Sequence, residues 1–346
     1  MKLIIPFVFL FFVLTSCQKE KITIGTNVSE TFYLDNNGAS MRLLVEGNTS
    51  SHTFLVFVHG GPGTGSFIYN TPYISQNIEN KYAVVYWDQR NAGASQGNSN
   101  GDHLNLPQMT DDLKKVVQLI KHRYGQDSGI FILGHSFGGL LTASFMTKDD
   151  NQSMVKGWIF ADGSHNYPLN DSLTRQMLLA FGQQQVIQNR NADSWKIIIQ
   201  YCNTHTSNFT FEESNQLFAY ATNAETNFKK VEEINLATLL QDDPVKNDWP
   251  ITSILLNLRY SSDAQFNRDL ANTEFSSMLG VVTTPTLLLC GKYDFICPEG
   301  LEEDVYNRIN TTDKKIVISP ISGHNIMLQD ESFFCKEVNT FIESHQ

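Results

Sequence analysis

The stretch Phe131-Ile-Leu-Gly-His-Ser-Phe-Gly-Gly139 decides the fold, because it runs an apolar segment directly into the pattern G-x-S-x-G. A serine that projects its hydroxyl from a sharp strand-to-helix turn needs neighbours without side chains, so that the strained backbone and the adjacent strand fit together. Gly134 and Gly138 meet that need on either side of Ser136. We interpret the stretch as a nucleophile elbow, with a strand before it and a helix from Leu140 to Lys148 after it. The N-terminal dipole of such a helix favours negative charge at the serine.

Apolar runs on both sides of the elbow are expected to be strands, and those at 53–59 and 82–87 have the composition of buried strands. They span residues 53–59, 82–87, 155–161, 285–290 and 315–319. An amphipathic helix is expected from about Pro107 to Tyr124. Short antiparallel strands are expected at Ile22–Ile24, Thr31–Leu34 and Met41–Glu46. Strands that alternate with helices in this way predict an α/β fold with a mainly parallel, doubly wound sheet, whose active site lies at the carboxyl ends of the strands.

A different pattern fills residues 164–277, where polar, helix-like segments replace the buried-strand signal. We expect helices at Leu173–Gln188, Ser194–Tyr201 and Phe211–Thr222. Such an insertion would form a helical cap that roofs the pocket and selects the substrate. The expected organisation is a core in two parts, residues 17–163 and 278–346, with the cap between them.

Two further residues complete the set that nucleophilic catalysis needs. Asp294 follows the run 285–290, and His324 lies in the loop after the last expected strand. A serine is a poor nucleophile at its own pKa and needs an imidazole to take its proton, while a carboxylate fixes the imidazole tautomer. The chain order Ser136, Asp294, His324 therefore predicts a catalytic triad. Asp162, just past another expected strand, is the alternative acid.

The segment His59-Gly-Gly-Pro-Gly63 follows the first buried run. Glycines there would let backbone N–H groups approach a developing oxyanion. We assign the oxyanion hole to the amides of Gly61 and Phe137. The alternative is a Gly-Pro turn without a chemical role, and His59 itself is interpreted as a structural loop residue.

These motifs resemble those of the α/β-hydrolase superfamily, and within it most closely those of the proline iminopeptidases. They are HGGPG at 59–63, WDQRNAGAS at 87–95, GHSFGG at 134–139, GKYDFICP at 291–298 and SGHN at 322–325. The resemblance implies an acyl-enzyme on Ser136 and release of an N-terminal residue, such as proline, from small peptides. Two departures matter: iminopeptidases usually have Gly-Gly-Ser-Trp at the elbow where this chain has Gly134-His-Ser-Phe137, and a glycine where Asn91 stands. Asparagine suits that position if it needs a positive φ.

The resemblance also implies that glutamates of the cap bind the free amino group of the substrate. The candidates are Glu212, Glu213, Glu225, Glu232 and Glu233, each of which also fits a solvated helix face. Many esterases share the GHSFGG form, so a carboxylesterase or lactonase with the same triad is the alternative enzyme. A lipoprotein that keeps the fold and only binds a ligand is the alternative of another class. No cofactor and no metal ion is expected.

The N-terminal residues have the pattern of a targeting signal. Leu3–Leu14 is a run of 12 residues with one proline, too short to span a bilayer as a permanent helix but suited to the core of a signal peptide. Leu14-Thr-Ser-Cys17 resembles the lipobox of bacterial lipoproteins, which implies a signal peptide over residues 1–16 and lipidation of Cys17. We therefore expect a lipid anchor in the bacterial cell envelope, with the outer membrane favoured. An ordinary secretory signal with an accidental cysteine is the alternative.

Charge and cysteine content exclude other classes of protein. The net charge is −11 and the chain has no block of lysine and arginine, so it lacks the electrostatic footprint of a nucleic-acid-binding protein. The other cysteines are Cys202, Cys290, Cys297 and Cys335. They lack metal-type C-x-x-C spacing and are expected to be buried free thiols. The alternative, for a protein outside the cytoplasm, is that two of them form a disulfide.

Overall fold

The structure, a computed structural model, describes residues 27–97, 103–227, 259–260 and 262–346. The strands are β1 (Val28–Asn36), β2 (Ala39–Gly47), β3 (Thr53–Val58), β4 (Ala83–Trp87), β5 (Gln96–Gly97), β6 (Gly129–Ser136), β7 (Gly157–Gly163), β8 (Thr286–Gly291) and β9 (Lys314–Ser319). They lie in one sheet in the order β1-β2-β4-β3-β6-β7-β8-β9, with β5 beside β2. Pairing is antiparallel from β1 to β2 and from β2 to β4, and parallel from β4 through β9. The predicted mainly parallel sheet is confirmed.

Helices connect the parallel strands and cover the sheet. They are α1 (Pro72–Ile74), α2 (Leu106–Tyr124), α3 (Phe137–Thr147), α4 (Tyr167–Ile187), α5 (Ala192–Thr204), α6 (Phe211–Asn227), α7 (Ala264–Ala271), α8 (Gly300–Arg308), α9 (Ile326–Gln329) and α10 (Glu331–Ser344). The prediction for the helix after the elbow was wrong at its start, because α3 begins at Phe137 rather than at Leu140. The two intervening glycines are helical, since small residues are what the tight turn requires.

The central strands β3, β4, β7 and β8 are buried on both faces, whereas the outer strands β1 and β9 are partly exposed. Along β3, Phe54 and Val56 pack in the cluster formed with α2 and α3, whereas Leu55 and Phe57 pack in the cluster formed with α1 and α10. Side chains alternate between the faces of a strand, so each face contributes its own half of the core. Packing on both faces therefore holds the sheet in place, and the loops at its carboxyl edge extend from it.

A buried ion pair secures the loop after β4. The guanidinium of Arg90 contacts both carboxylate oxygens of Asp112 on α2, at 2.5 and 2.7 Å, and both side chains are fully buried. A paired, bidentate geometry is what makes a buried charge tolerable. In the same loop Asn91, which stands where the iminopeptidase pattern has glycine, has φ 56°. Asparagine adopts a positive φ more readily than most residues, so it is tolerated at this position.

The chain between β7 and β8 holds α4 to α7 and leaves the core through a narrow neck. There the amide of Tyr167 donates to the carbonyl of Thr273, and the amide of Phe275 donates to the carbonyl of His165. Helices α4, α5 and α6 share a small core of their own that includes Leu178. The described part of the chain has no helix that is both long and apolar enough to cross a membrane.

Some expectations fall outside the described residues. They are the strand at Ile22–Ile24, the signal peptide over residues 1–16, the lipidation site Cys17 and the cap glutamates Glu232 and Glu233. The four cysteines that are described, Cys202, Cys290, Cys297 and Cys335, are all buried free thiols.

Candidate active site

Ser136 stands at the junction of β6 and α3 with φ 56° and ψ −122°. This left-handed φ is strained for a residue with a side chain, and such strain persists only where the surroundings enforce it. The surroundings do so here, since a Cβ atom at Gly134 would overlap Thr142 and one at Gly138 would overlap the carbonyl oxygen of Val58. Strand, turn and helix are therefore pressed together, and the serine side chain is the one that projects.

Ser136 and Asp294, which the sequence places far apart, each lie within hydrogen-bond distance of His324. His324 Nε2 is 2.9 Å from Ser136 Oγ, and His324 Nδ1 is 2.9 Å from Asp294 Oδ2. The carboxylate accepts a hydrogen bond from Nδ1–H, which keeps the proton on Nδ1 and leaves Nε2 unprotonated and able to accept the serine proton. The three side chains thus have the geometry that a nucleophile, a base and an orienting acid require.

The structure separates the two candidate acids. Asp294 Oδ1 accepts hydrogen bonds from the amides of Ile296 at 2.8 Å and Cys297 at 2.7 Å, while its Oδ2 faces His324. Asp162 instead accepts from the amides of Gly291 and Ile326, at 2.8 Å each. Asp162 therefore ties the end of β8 to the segment after His324 and does not contact the imidazole.

Burial is the largest influence on the pKa values of His324 and Asp294. It lowers the pKa of His324, while the nearby carboxyl groups of Glu225 and Asp162 raise it. Burial raises the pKa of Asp294, and the amides of Cys297 and Ile296 oppose that rise. A side-chain hydrogen bond with Glu225 also opposes the rise, so the contacts on the Asp294 carboxyl favour its ionised form. A neutral imidazole beside an ionised carboxylate is the resting state that general-base catalysis needs.

The segment HGGPG lies beside the elbow. A Cβ atom at Gly60 would come within 2.9 Å of Ser136 Cβ, so the loop approaches the serine as closely as only glycine allows. Gly61, with φ 117°, follows it, and Phe137 opens α3, whose first-turn amides have no carbonyl partner inside the helix. His59 is fully buried, with Nδ1 at 2.7 Å from the carbonyl of Gly60, and lies in the structural position that the sequence predicts.

Glu225 on α6 is the cap glutamate that reaches the predicted catalytic residues, of those within the described ranges. Its carboxyl accepts from the amide of Phe295 at 2.9 Å and from the amide of His324 at 3.3 Å. Burial, followed by the charge of Asp294, raises the pKa of Glu225 to about 8. Both oxygens serve the protein itself, because they join the loops that carry Asp294 and His324. Glu212, by contrast, is exposed on the first turn of α6, at the opposite end of that helix from Glu225.

A cavity of about 420 Å³ lies between the HGGPG loop and the cap. Its walls include Gly61 from the loop and several apolar cap side chains, among them Leu217 and Leu270. Among the lining residues that the structure describes, Asp171 on α4 is the one carboxylate. Its Oδ1 accepts a hydrogen bond from Ser214 at 2.7 Å, and burial raises its pKa to about 6.

Asp171 is not among the residues predicted from the sequence, since the resemblance to iminopeptidases implies glutamates. A signal existed, because Asp171 lies among polar residues near the start of an expected cap helix, but nothing local distinguishes it from a solvated aspartate. It is buried where α4 packs against α6, beside Ser214.

Comparison with known proteins agrees with this geometry. Residues 49–239, more than half of the chain, match the model of the family described as serine aminopeptidase, S33. A probable aminopeptidase of Bacillus subtilis is 22% identical over 88% of this chain and 93% of its own length. A proline iminopeptidase of Saccharolobus solfataricus is 24% identical over 85% of this chain and 86% of its own length.

Solved structures of a proline iminopeptidase and of an esterase share the fold of this chain. A proline iminopeptidase of Mycobacterium smegmatis superimposes with a TM-score of 0.63 at 15% identity, over 92% of this chain and 98% of that one. An esterase of Exiguobacterium antarcticum gives a TM-score of 0.61 at 16% identity, over 91% of this chain and all of that one. The sheet, the elbow and the family match over half of the sequence lead to one conclusion: this protein is a serine hydrolase of the α/β-hydrolase superfamily and belongs to the serine aminopeptidase S33 family.

Proposed function

We propose that this hydrolase is an aminopeptidase that releases an N-terminal residue, proline in particular, from small peptides. The observation that carries the proposal is the buried carboxylate of Asp171 in an otherwise largely apolar cavity that reaches the HGGPG loop. The relatives that are themselves called aminopeptidase or proline iminopeptidase support the same reaction class.

In the proposed mechanism Ser136 Oγ attacks the scissile carbonyl carbon while His324 Nε2 takes the serine proton. The carbonyl oxygen becomes an oxyanion, which the amides of Gly61 and Phe137 stabilise. The imidazolium, held by Asp294, then gives its proton to the leaving amine, and an acyl-enzyme remains. Water, deprotonated by the same imidazole, attacks the ester and restores the serine. No cofactor or metal ion takes part in these steps.

Recognition of the amino terminus is assigned to Asp171. A carboxylate with one oxygen held by Ser214 at 2.7 Å is preoriented, and we assign its other oxygen, which has no hydrogen bond from the described residues, to a ligand in the cavity. A charge-assisted hydrogen bond to an ammonium group contributes roughly 1.5–3 kcal/mol in such a partly dry site. The cavity of about 420 Å³ lies at the small end of the range for ligand sites, which favours a short substrate.

The competing proposal is a carboxylesterase or lactonase. It is favoured by the GHSFGG form of the elbow, where the iminopeptidase pattern differs at His135 and Phe137, and by the shared fold of the esterase structure. An aminoacyl nitroanilide, its N-acetylated form and a nitrophenyl ester of similar size separate the two. The aminopeptidase proposal expects the free amine to be strongly preferred over the acetylated form. Equal rates for the free and the acetylated substrates would overturn it in favour of the esterase, and no labelling of Ser136 by a fluorophosphonate would leave only a ligand-binding protein.

The predicted nucleophile and base should act as one unit. We expect Ser136→Ala and His324→Ala each to lower kcat by roughly 10⁴-fold or more, and the double variant to be hardly worse than either single one, because both residues serve the same proton transfer. Steady-state kinetics on the best substrate, after circular dichroism has shown that each variant is folded, measures this. Losses that add in free energy would contradict a shared role.

The two aspartates should respond differently to the same change. Asp294→Asn should lower kcat on the order of 10⁴-fold, because the amide no longer fixes the imidazole tautomer. Asp162→Asn should leave kcat within about 10-fold and instead lower the free energy of unfolding by about 1–3 kcal/mol, because the amide group replaces one of two acceptors and leaves a buried N–H unpaired. Denaturant melts run beside kinetics distinguish the effects. The reverse pattern would move the acid to Asp162.

Asp171→Asn should weaken kcat/KM about 10- to 100-fold for substrates with a free amino group and leave a neutral ester nearly unaffected. In the unmodified enzyme the ratio of the two kcat/KM values should fall as the pH drops through about 6, because the carboxylate then takes up a proton and loses its charge. The ratio should be independent of pH in the variant. Asp193→Asn on α5, whose side chain is 97% exposed, is the matched control and should change nothing. A uniform loss on both substrates would assign Asp171 a structural role.

The N-terminal sequence supports a further part of the proposal, a lipid anchor at Cys17 that holds the enzyme in the bacterial envelope. Cys17→Ser should move the protein out of the membrane fraction, because the short apolar segment is removed and acyl chains on Cys17 would be the strong anchor. Cell fractionation followed by immunoblotting measures the distribution. Cys202→Ser, which changes a buried thiol of the cap, is the control that should stay in the membrane. Retention of the Cys17 variant would contradict the anchor.

A further inference from the structure

A chain of hydrogen bonds runs behind the three predicted catalytic residues and connects the segments that carry them. The amide of Gly60 donates to the hydroxyl oxygen of Tyr69 at 3.1 Å, and that hydroxyl lies 2.8 Å from His135 Nδ1. On the other side of the ring, His135 Nε2 lies 2.7 Å from the carbonyl oxygen of His324. Gly60 precedes the predicted oxyanion residue, His135 precedes Ser136, and His324 is the predicted base.

The partners leave one arrangement of protons in this chain. A carbonyl oxygen only accepts, so His135 Nε2 must carry the proton that is shared with His324. Burial lowers the pKa of His135 to about 3, so the ring is neutral and Nδ1 has a free lone pair. Burial raises the pKa of Tyr69, so its hydroxyl keeps the proton that Nδ1 accepts. Each donor therefore has an acceptor, and the direction of the chain is fixed from Gly60 to His324.

We propose that His135 and Tyr69 are positioning residues, which hold the backbone of the base and of the oxyanion loop in register with the nucleophile through this hydrogen-bond chain. The inference rests on the proposed roles of Ser136 and His324, and it applies equally to an amide or an ester substrate. His135 stands where the iminopeptidase pattern has glycine, which cannot make either contact.

The physical reason is the way in which the imidazole of His324 is held. Its ring is fixed at Nδ1 by Asp294, and its own backbone amide is fixed by Glu225. The carbonyl of the same residue is fixed by His135, whose ring centroid lies 5.0 Å from that of His324. Loss of the His135 contact leaves a buried carbonyl without its donor and allows the loop to shift. A displacement of this kind lowers the rate of proton transfer more than it lowers substrate binding.

Two substitutions of His135 separate the donor to His324 from the acceptor for Tyr69. A glutamine side chain reaches as far as Nε2, so His135→Gln can still donate to the carbonyl of His324. An asparagine side chain reaches only as far as Nδ1, so His135→Asn can contact Tyr69 but not His324. We expect the asparagine variant to lose about 10- to 100-fold in kcat with KM within about twofold, and the glutamine variant to stay within about threefold of the unmodified enzyme. Both variants remove one buried hydrogen bond, so their melting temperatures should fall alike.

Tyr69→Phe tests the other end of the chain and should lower kcat about 10-fold without raising KM, because the amide of Gly60 loses its acceptor. His165→Gln and His165→Asn are the matched controls, since this histidine is equally buried but contacts Ser276 and Asp304. Both His165 variants should lower the stability of the protein, but the glutamine variant and the asparagine variant should have the same kcat.

The assay uses whichever of the nitroanilide and nitrophenyl substrates the unmodified enzyme cleaves faster, so a failed aminopeptidase proposal does not affect it. Equal kcat values for His135→Gln and His135→Asn would overturn the inference, as would a rise in KM at constant kcat. Rescue by glutamine but not by asparagine supports it, since loss of stability alone predicts no such difference.

Discussion

The absence of space between the elbow and β3 is the constraint on which the rest of the structure depends. A Cβ atom at Gly138 would overlap the carbonyl oxygen of Val58, so α3 begins in direct contact with the neighbouring strand. That contact forces the backbone of Ser136 into a left-handed conformation and directs its hydroxyl out of the carboxyl edge of the sheet. The strain is held by close packing on both sides, and the sheet beneath supplies the packing. The position of the nucleophile is therefore set by the core.

The loops around the serine are held in a different way, by buried carboxyl groups that accept hydrogen bonds from backbone amides of two separate segments. Asp88 joins the segment after HGGPG to the loop after β4, through the amides of Ser66 at 2.7 Å and Ala94 at 2.9 Å. Asp162 and Glu225 do the same for the loops that carry the acid and the base. A buried carboxyl is costly unless such donors satisfy it, so these contacts also restrict where the loops can settle. The site gains rigidity from groups that take no part in the proposed reaction.

The features that the sequence predicts well are those with a local signal. The parallel strands follow from unbroken apolar runs, and the elbow follows from two glycines around a serine. The start of α3 was misjudged because Phe137, the first residue of the helix, reads as part of the turn. Asp171 and Tyr69 could not be assigned a role in advance, since the first contacts Ser214 on α6, 43 positions away, and the second contacts His135, 66 positions away. The same holds for Glu225, whose raised pKa of about 8 depends on Asp294 and on burial under the cap.

The position of His135 in the elbow also bears on which side chains can contact the substrate. Side chains of neighbouring residues in a strand point to opposite sides, so the residue before the nucleophile faces away from the substrate. His135 accordingly contacts Tyr69 and the backbone of His324, both buried. His135 thus contacts the segments around the elbow and is not part of the cavity wall. Evidence about the substrate must come from the other side of the serine, where the cap places Asp171 and its apolar neighbours. A single buried carboxylate binds a cation better than it binds a neutral acyl chain, because only the cation offsets the loss of its hydration.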